Sequence, residues 1–549
     1  MPDILLIQPP IRDFYLTAKR TIPYGLACIA SLLIAEGFTV EILDALATSK
    51  SRKIDLPSEM AYVREFYPGP DCSPFALFHD FKHYGYTFER IGEIARESGA
   101  FLVGISSLFT AYSDEALRTA EAVKRSLRDV VVVLGGHHPT EMPEAVLEHE
   151  CVDFIIRGEG EAALPQLAWA LRAGTSPEGV PGIGFRKAEG GLFLNPPAVI
   201  ANLDDTLPPA MDLIDRNFYQ RKKTACTVVV ASRGCPLSCS YCSIGCSSWS
   251  RFRLKSTVEI MDELEREVTW AGVRFIDFED ENISFNRNWF LQLLGEIRDR
   301  FGGLGLELRA MNGLYPPTLD GEVIRAMKEA GFSALNLSLC TTCTAQLRRF
   351  KRCDVREAFE DALIHAAEHG MEAVGYIIVG APGQSARDSL DDLLYLASKK
   401  VLAGVSVFYP APGSADYEGC RRKDLLPPAF SLMRSTALPV SDTTTREESA
   451  TLLRLGRILN FMKSLTWEEI EGVTAENPTV EEGVRGASPM GDRREAGKTL
   501  LRLFFRDGII RGTLPDGKIF EHRTVPELCI DFRDGLSRFL REGAWGSFV

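Results

Sequence analysis

The stretch that decides the fold is Arg233-Gly234-Cys235-Pro236-Leu237-Ser238-Cys239-Ser240-Tyr241-Cys242, which follows a predicted strand at residues 227–231. Its three cysteines have the spacing C-x3-C-x2-C, which wraps one loop around a single 4Fe–4S cube. Three thiolates then bind three irons, and the fourth iron stays open to a small molecule. Zinc is the alternative, but a zinc site needs four ligands and usually shows two paired C-x2-C knuckles. We therefore predict Cys235, Cys239 and Cys242 as the metal ligands and the catalytic centre.

The cysteine motif opens a series of six strand–helix repeats within residues 223–434. The predicted strands cover residues 227–231, 275–278, 306–310, 334–339, 373–379 and 405–408, with helical patterns between them. This alternation indicates parallel strands covered by helices. Eight such repeats close a TIM barrel, so six predict a partial, TIM-like (β/α)6 barrel.

Residues 1–195 show a second alternation of short apolar runs and helical patterns. It predicts an α/β domain with a doubly wound, Rossmann or flavodoxin-like sheet. Ligands of such sheets bind at the carboxyl ends of the strands. Polar or glycine-rich turns follow three predicted strands, namely Gln8-Pro9-Pro10, Ser106-Ser107 and Gly135-Gly136-His137-His138. We expect a ligand at these turns.

The remaining segments are a predicted linker and two predicted covers. Residues 196–222 contain two Pro-Pro pairs and are predicted to link the two α/β parts. Residues 435–549 are predicted to form a mainly helical C-terminal domain, with a small β-element around residues 509–519. Residues 46–85 are irregular and predict a long loop or lid. We expect this lid and the C-terminal domain to cover the substrate.

The cysteine motif at the first of six strands resembles that of the radical S-adenosylmethionine (SAM) superfamily. The resemblance implies that the open iron is chelated by SAM and that Tyr241 lies against the nucleoside. It also implies an acidic segment after the second strand, a ribose contact at the fourth and an adenine contact at the fifth. The implied SAM contacts are Glu279, Asp280, Asn336, Ser338, Ile378, Gly380 and Pro382. Arg309 at the end of the third strand is expected either to pair with the SAM carboxylate or to form a barrel-rim salt bridge.

The N-terminal domain resembles the cobalamin-binding domain that precedes many radical SAM barrels. The resemblance implies cobalamin contacts at Gln8, Pro9, Tyr24, Gly25, Ser106, Ser107, Gly135, Gly136, His137 and Glu159. A flavodoxin-like domain without a ligand is the alternative. The Asp-x-His-x-x-Gly signature, which places a histidine below cobalt in many cobalamin proteins, is absent. We expect His137 to contact the corrin or its tail, and we leave the lower ligand of cobalt open.

Composition limits the function classes. The chain has 62 Lys and Arg against 75 Asp and Glu, a formal net charge of −13, which does not favour a nucleic-acid partner. Met1–Ile7 shows no secretory signal, and no apolar run reaches the ~18 residues of a membrane span. Thirteen cysteines in 549 residues are too few for a disulfide scaffold. We therefore predict a cytoplasmic protein without a membrane partner.

Two further features have less specific interpretations. The run Arg348-Arg349-Phe350-Lys351-Arg352 is predicted to be a solvated helix end. Cys340-Thr341-Thr342-Cys343, with Cys353 ten residues on, resembles a metal knuckle, but no fourth ligand is evident. Buried or substrate-facing thiols are favoured there.

The prediction that results is a cobalamin-dependent radical SAM enzyme with a 4Fe–4S cluster. The favoured reaction is methyl transfer to an unactivated carbon through a 5′-deoxyadenosyl radical and methylcobalamin. The first alternative is a cyclase or oxidative rearrangement enzyme of the same architecture, and the second is a non-catalytic cobalamin carrier or sensor. The expected partners are a small-molecule or peptide substrate and an electron donor such as flavodoxin or ferredoxin. The sequence does not indicate an oligomeric state.

Overall fold

The computed structural model describes residues 1–14, 21–78, 80–247, 249, 251–474, 493–543 and 545. These residues form an N-terminal α/β part, a partial six-stranded barrel and a mainly helical C-terminal region, in that order. The predicted fold class is therefore confirmed. The predicted domain boundaries after residues 195, 222 and 434 stay predictions, because the linker packs along both neighbours.

The N-terminal part contains ten strands and six α-helices among the described residues. They are β1 Ile4–Gln8, β2 Ile11–Asp13, α1 Tyr24–Ala35, β3 Val40–Asp44, β4 Ser51–Lys53, β5 Lys82–Tyr84, α2 Phe88–Ser98, β6 Leu102–Ser106, α3 Ser113–Ser126, β7 Val131–Gly135, α4 His137–Glu141, α5 Pro143–Leu147, β8 Phe154–Ile156, α6 Gly160–Ala173, β9 Ile183–Arg186 and β10 Leu192–Leu194.

Seven of these strands form one sheet in the order β10-β9-β8-β7-β6-β1-β3. The five strands from β8 to β3 are parallel and have the flavodoxin-like order. The antiparallel edge strands β9 and β10 were missed by the sequence analysis. In β1, Ile4 and Leu6 pack toward α1 and α6, whereas Leu5 and Ile7 pack toward α2 and α3. A run that is apolar at every position thus forms a strand buried on both faces.

The second part begins with β11, inside the predicted linker, and contains nine strands and eight α-helices among the described residues. They are β11 Gln220–Arg221, β12 Thr224–Val229, β13 Ser232–Arg233, α7 Ser243–Cys246, β14 Arg253–Leu254, α8 Thr257–Glu265, β15 Phe275–Phe278, α9 Arg287–Phe301, β16 Glu307–Ala310, α10 Gly321–Ala330, β17 Ala334–Cys340, α11 Thr344–Phe350, α12 Arg356–Glu368, β18 Glu372–Val379, α13 Ala386–Ala397, β19 Leu402–Val407 and α14 Ala415–Arg422.

All six predicted barrel strands are confirmed. Strands β12, β15 and β16 are parallel neighbours, and β17, β18 and β19 form a second parallel set. The parallel bridges Leu308–Phe332 and Leu314–Leu337 join the two sets. The strands therefore form one curved wall that stays open between β19 and β12.

The segment at residues 46–85 is not the irregular lid that we predicted. Strands β2, β5 and β4 form a small antiparallel sheet there. Met60, Phe75 and Phe81 are buried in the same hydrophobic core as the barrel helices. The hydroxyl of Tyr67 donates to the carbonyl oxygen of Thr436 over 3.1 Å. The many aromatic residues of this segment hold it against the molecule.

The C-terminal region is mainly helical, as predicted. Its elements are α15 Arg446–Lys463, α16 Trp467–Thr474, α17 Arg493–Asp507, β20 Arg511–Thr513, β21 Ile519–Glu521 and α18 Pro526–Glu542. Helix α15 packs along β19, where the side-chain amide of Asn460 bonds both the N–H and the carbonyl of Ala403, over 2.8 and 2.9 Å. The region thus closes the free edge of the barrel. In the described part of the chain, no helix has the length and apolar character needed to cross a membrane.

Candidate functional site

A cavity of about 940 Å³ lies between the N-terminal sheet and the barrel. Its N-terminal wall includes Gln8, Ser106 and Gly135, which end β1, β6 and β7. Its barrel wall includes Glu279, directly after β15, and Ser406 near the end of β19. Both sets of parallel strands therefore point their carboxyl ends, where ligands bind in such folds, into one space.

Most of the residues predicted to bind cobalamin line this cavity. They are Gln8, Tyr24, Gly25, Ser106, Gly135, Gly136, His137 and Glu159. Pro9 and Ser107 do not line it. The N–H of Ser107 donates to the carbonyl of Gly135, and its own carbonyl accepts from His138, over 2.7 and 3.1 Å. The Ser107 backbone therefore joins the two turns of the wall, and the predicted ligand contact of its side chain stays a prediction.

An apolar slot extends from the cavity into the N-terminal part, between the sheet and two helices. It is lined by Leu6, Gly104, Val133 and Ile156 from the sheet and by Leu26, Ile29 and Leu164 from α1 and α6. A Cβ at Gly104 would lie 2.8 Å from Leu6 Cδ2, and one at Gly160 would lie 2.8 Å from Ile29 Cδ1. Glycine is therefore needed to keep this space. The glycine-rich turns fit a flat corrin ring, and the slot fits its nucleotide tail.

The three predicted metal ligands lie on one short loop at the barrel mouth. Cys242 N–H donates to the Cys239 carbonyl over 3.1 Å, and Cys239 is buried. Gly234 has φ +79°, a conformation that favours glycine, directly before Cys235. Burial raises the pKa of the Cys235 thiol to about 11, so iron binding would have to displace its proton.

The three thiols of the loop can each bind a different iron of one cluster. Within the described part of the chain, no group of three or more His, Cys, Asp or Glu side chains is arranged around one metal ion. Among the described residues, Cys340, Cys343 and Cys353 therefore do not form such a group. A cubane does not need such a group, because each thiolate binds a different iron.

The acidic segment after β15 divides between two roles. Glu279 and Glu281 line the cavity, and burial raises the pKa of Glu281 to about 7. Asp280 faces the opposite way: it accepts hydrogen bonds from the Ser232 hydroxyl over 2.5 Å and from the Ala231 N–H over 3.3 Å. Asp280 thus supports the start of the cysteine loop, and its predicted cofactor contact is not supported. The period of two in an extended segment would have indicated Glu281 instead.

Two family models match the chain in the same two places. The B12 binding domain matches residues 76–168, and the Radical SAM superfamily matches residues 229–396. The chain is a radical SAM enzyme with a B12-binding domain. Its cofactors are accordingly a 4Fe–4S cluster, SAM and cobalamin.

Relatives of this radical SAM enzyme cover its whole architecture. An uncharacterized methyltransferase of Pyrococcus horikoshii is 27% identical over 84% of this chain and 92% of its own. The anaerobic magnesium-protoporphyrin IX monomethyl ester cyclase of Cereibacter sphaeroides is 30% identical, over 47% of this chain and 43% of its own. The radical S-adenosylmethionine methyltransferase TsrM from Kitasatospora setae, solved with tryptophan substrate and a SAM analogue, has the same fold. It superimposes with a TM-score of 0.60 at 16% identity, over 98% of this chain and 99% of that one.

The predicted SAM contacts on the third and fourth strands lie inside the barrel and do not line the cavity. Arg309 donates to Asp277 from Nε over 3.0 Å and from Nη2 over 2.5 Å. Of its two expected roles, the geometry thus favours the barrel salt bridge. Asn336 donates to the carbonyl of Ala310 over 3.0 Å and accepts from the Tyr376 hydroxyl over 3.3 Å.

Arg352 is a residue that the sequence analysis misjudged. The predicted solvated helix end is wrong at this position, because Lys351 adopts φ +54° and turns the chain inward. Arg352 Nη1 lies 3.7 Å from Cys239 Sγ, and Nη2 donates to the Ser338 carbonyl over 3.1 Å. A cation therefore lies between one cluster ligand and the predicted ribose position.

The predicted adenine and nucleoside contacts meet at another point of the barrel mouth. Tyr241 and Ile378 join one apolar cluster with Phe350, whose ring centre lies 4.8 Å from that of Tyr241. Gly380 follows β18 with φ +71°, and Pro382 lies two residues on. The structure thus brings Tyr241 and Ile378 together beside the cysteine loop, although neither lines the cavity.

One polar corner of the cavity had no signal in the sequence. Arg434 Nη1 donates to Asp13 Oδ2 over 3.0 Å, and the Tyr112 hydroxyl donates to the same oxygen over 2.6 Å. All three residues line the cavity, as do the half-exposed apolar side chains Leu108 and Phe109. The lining reaches Ser435 and Thr436 of the predicted C-terminal domain, whereas no described residue of helices α15–α18 or of residues 46–85 lines the cavity. Their role as a cover for the substrate stays a prediction.

Proposed function

We propose that this protein is a cobalamin-dependent radical SAM methyltransferase that acts on an unactivated carbon of a small-molecule or peptide substrate. The observation that carries the proposal is the single cavity reached by the strand ends of both parts. Radical methyl transfer needs two cofactors, one that generates the substrate radical and one that donates the methyl group, and both must face the same substrate. The methyltransferase name of the relative that spans nearly the whole chain supports the same reaction.

The cofactors supply the difficult chemistry: when bound, cluster and SAM generate a carbon radical, and cobalamin donates the methyl group. The chain must bind and orient them. We propose that Cys235, Cys239 and Cys242 hold the cluster, and that Glu279 and Glu281 receive the SAM amino group. The raised pKa of Glu281 makes an ammonium partner favourable, because its charge would stabilise the carboxylate.

The cavity walls have two further tasks. Leu108 and Phe109 are half-exposed apolar side chains of the lining, and we propose that a bound substrate covers them. We propose that the corner formed by Asp13, Tyr112 and Arg434 orients a polar group of the substrate, since Asp13 and Arg434 are buried charged residues of the lining.

The reaction also needs an electron and a reducing environment. We propose a low-potential donor such as flavodoxin or ferredoxin and a cytoplasmic location, because an open iron cluster requires both reduction and protection from oxidants. The tetrapyrrole cyclase remains the second candidate, but its similarity covers less than half of that protein. A carrier or sensor has no use for the cysteine loop.

The test is an anaerobic product assay on the reconstituted, reduced enzyme. The protein is loaded with iron, sulfide and cobalamin, SAM is added, and 5′-deoxyadenosine and S-adenosylhomocysteine are measured by mass spectrometry beside Cys239→Ala. Both products, lost in the variant, would support methyl transfer. 5′-Deoxyadenosine alone would support cyclisation or rearrangement, and cobalamin binding without iron would support the carrier.

A further inference from the structure

The cysteine loop, residues 233–246, is held at both ends by the N-terminal part. At its start, Arg233 Nη2 donates to Glu161 over 2.5 Å, and Nη1 lies 3.3 Å from Glu159. Beyond its end, Arg253 Nη2 donates to Glu159 over 2.8 Å. The two glutamates are buried and the two arginines are largely buried, and charge-assisted hydrogen bonds in such surroundings are strong and directional.

A second contact holds the loop beside its last cysteine. His137 Nε2 lies 2.7 Å from the hydroxyl oxygen of Ser243, the residue that follows Cys242. His137 belongs to the glycine-rich turn after β7, whereas Ser243 begins α7. The loop is therefore fixed just before its first cysteine and just after its last.

Both contacts use residues that also line the cavity. Glu159, Glu161 and His137 face it from the N-terminal part, and Arg233 and Ser243 face it from the cysteine loop. A molecule in the cavity therefore touches both sides of each contact.

We propose that these two contacts couple cobalamin binding to the cluster: cobalamin in the cavity fixes the cysteine loop, and the cluster in turn tightens cobalamin binding. Glu159, Glu161, Arg233, His137 and Ser243 are positioning residues in this scheme. The proposal rests on the proposed cofactor sites but not on methyl transfer. Because coupling between two binding sites is reciprocal, each cofactor must strengthen binding of the other by the same factor.

The test measures both directions of the coupling in the full chain. Equilibrium dialysis gives the hydroxocobalamin Kd with and without the oxidised cluster, and an iron chelator gives the rate of cluster loss with and without hydroxocobalamin. We expect the cluster to tighten cobalamin binding about five-fold or more, within the usual range of such coupling. We expect cobalamin to slow cluster loss as well.

Three variants distinguish the loss of these two contacts from a general loss of protein stability. Ser243→Ala removes the second contact, and Glu161→Gln weakens the first while it keeps a side chain of the same size. Both should bring the ratio of the two cobalamin dissociation constants toward one. Ser240→Ala is the matched control, because its hydroxyl bonds Asp416 within the barrel over 3.0 Å and does not reach the N-terminal part. A structural defect would change both dissociation constants and leave their ratio intact.

The outcomes are distinct. Equal dissociation constants with and without the cluster in the unmodified chain would overturn the proposal, as would a ratio that persists in both variants. Loss of the ratio in Ser240→Ala as well would also overturn it, because the effect would then belong to the loop alone. Failure of the unmodified chain to bind cobalamin at all would remove the proposed function, and this coupling with it.

Discussion

The two walls of the cavity are built in different ways. The N-terminal wall has glycine-rich turns such as Gly135-Gly136 at the ends of its parallel strands, and we call it the backbone wall for this reason. The barrel wall has charged side chains at the corresponding place, among them Glu279, Glu281 and Arg233, and we call it the side-chain wall. A backbone wall can lie flat against a large ring, whereas a side-chain wall presents a few directed groups to a small ligand. The difference matches the two cofactors.

The largest expected effect separates the two walls. Cys239→Ala removes one of three iron ligands, so we expect no 5′-deoxyadenosine or S-adenosylhomocysteine above background. The N-terminal wall is intact in this variant, so hydroxocobalamin should still bind, only about five-fold more weakly if the coupling holds. Mass spectrometry and equilibrium dialysis measure the two results. A variant that still cleaves SAM would show that the cluster is held elsewhere.

The next effect concerns a titratable group directly behind the backbone wall, next to His137. His138 is buried, its Nδ1 lies 3.2 Å from the Thr110 hydroxyl oxygen, and its ring packs edge-on against Phe430. Burial, with a smaller contribution from the His137 charge, lowers its pKa from 6.5 to about 4. As the pH falls, the unfolded chain therefore takes up this proton first. The contribution of the neutral His138 to the free energy of unfolding is complete above pH 6.5. Between pH 6.5 and about 4 this contribution is lost, and the free energy of unfolding falls by on the order of 3 kcal/mol.

The measurement is the urea midpoint between pH 7 and pH 4.5. We expect His138→Gln to reduce the fall of the midpoint with acid, since glutamine bonds without titrating. His149→Gln is the control, because His149 is exposed and should leave the pH dependence unchanged. Identical acid sensitivity in all three proteins would contradict a neutral, buried His138.

A third effect tests the apolar slot behind the backbone wall. Gly104→Val places methyl groups against Leu6, and forced overpacking of this kind costs about 1–3 kcal/mol. We expect hydroxocobalamin to bind about ten-fold more weakly, with unchanged cluster iron. Gly295→Ala is the control, since nothing lies within 4 Å of the added atom. Normal cobalamin affinity in a folded Gly104→Val protein would remove the slot from the binding site.

The smallest effect is expected at Arg309, which bonds Asp277 inside the barrel and does not belong to the side-chain wall. Arg309→Lys keeps the charge beside Asp277, and a partly exposed pair of this kind contributes about 1 kcal/mol or less. We expect less than about a three-fold change in SAM affinity, measured by calorimetry on the reconstituted enzyme. A ten-fold loss would restore Arg309 as a SAM carboxylate partner.

The same difference between the walls explains which residues of the cavity could be predicted from the sequence. Turns such as Gly135-Gly136 occupy positions set by strand order, so their place at the cavity followed from the chain alone. Whether a side chain lines the cavity depends on the direction in which it points, and the order of the motifs along the chain does not give this direction. Asp280 and Glu281 are neighbours, yet one supports the cysteine loop and the other faces the cavity. Arg352 turns inward through a left-handed Lys351, a conformation that lysine shows no preference for and that no pattern predicts.

The amide of Asn460 has a consequence for the behaviour of the protein in solution. An open barrel ends in a strand whose backbone groups are free to pair with another chain, and such edges promote association. Here one side chain occupies both groups of Ala403, so the barrel offers no continuous row of donors and acceptors at that point. The edge of the incomplete barrel is thus paired within its own chain at Ala403, at a point where an open strand would otherwise present free backbone groups.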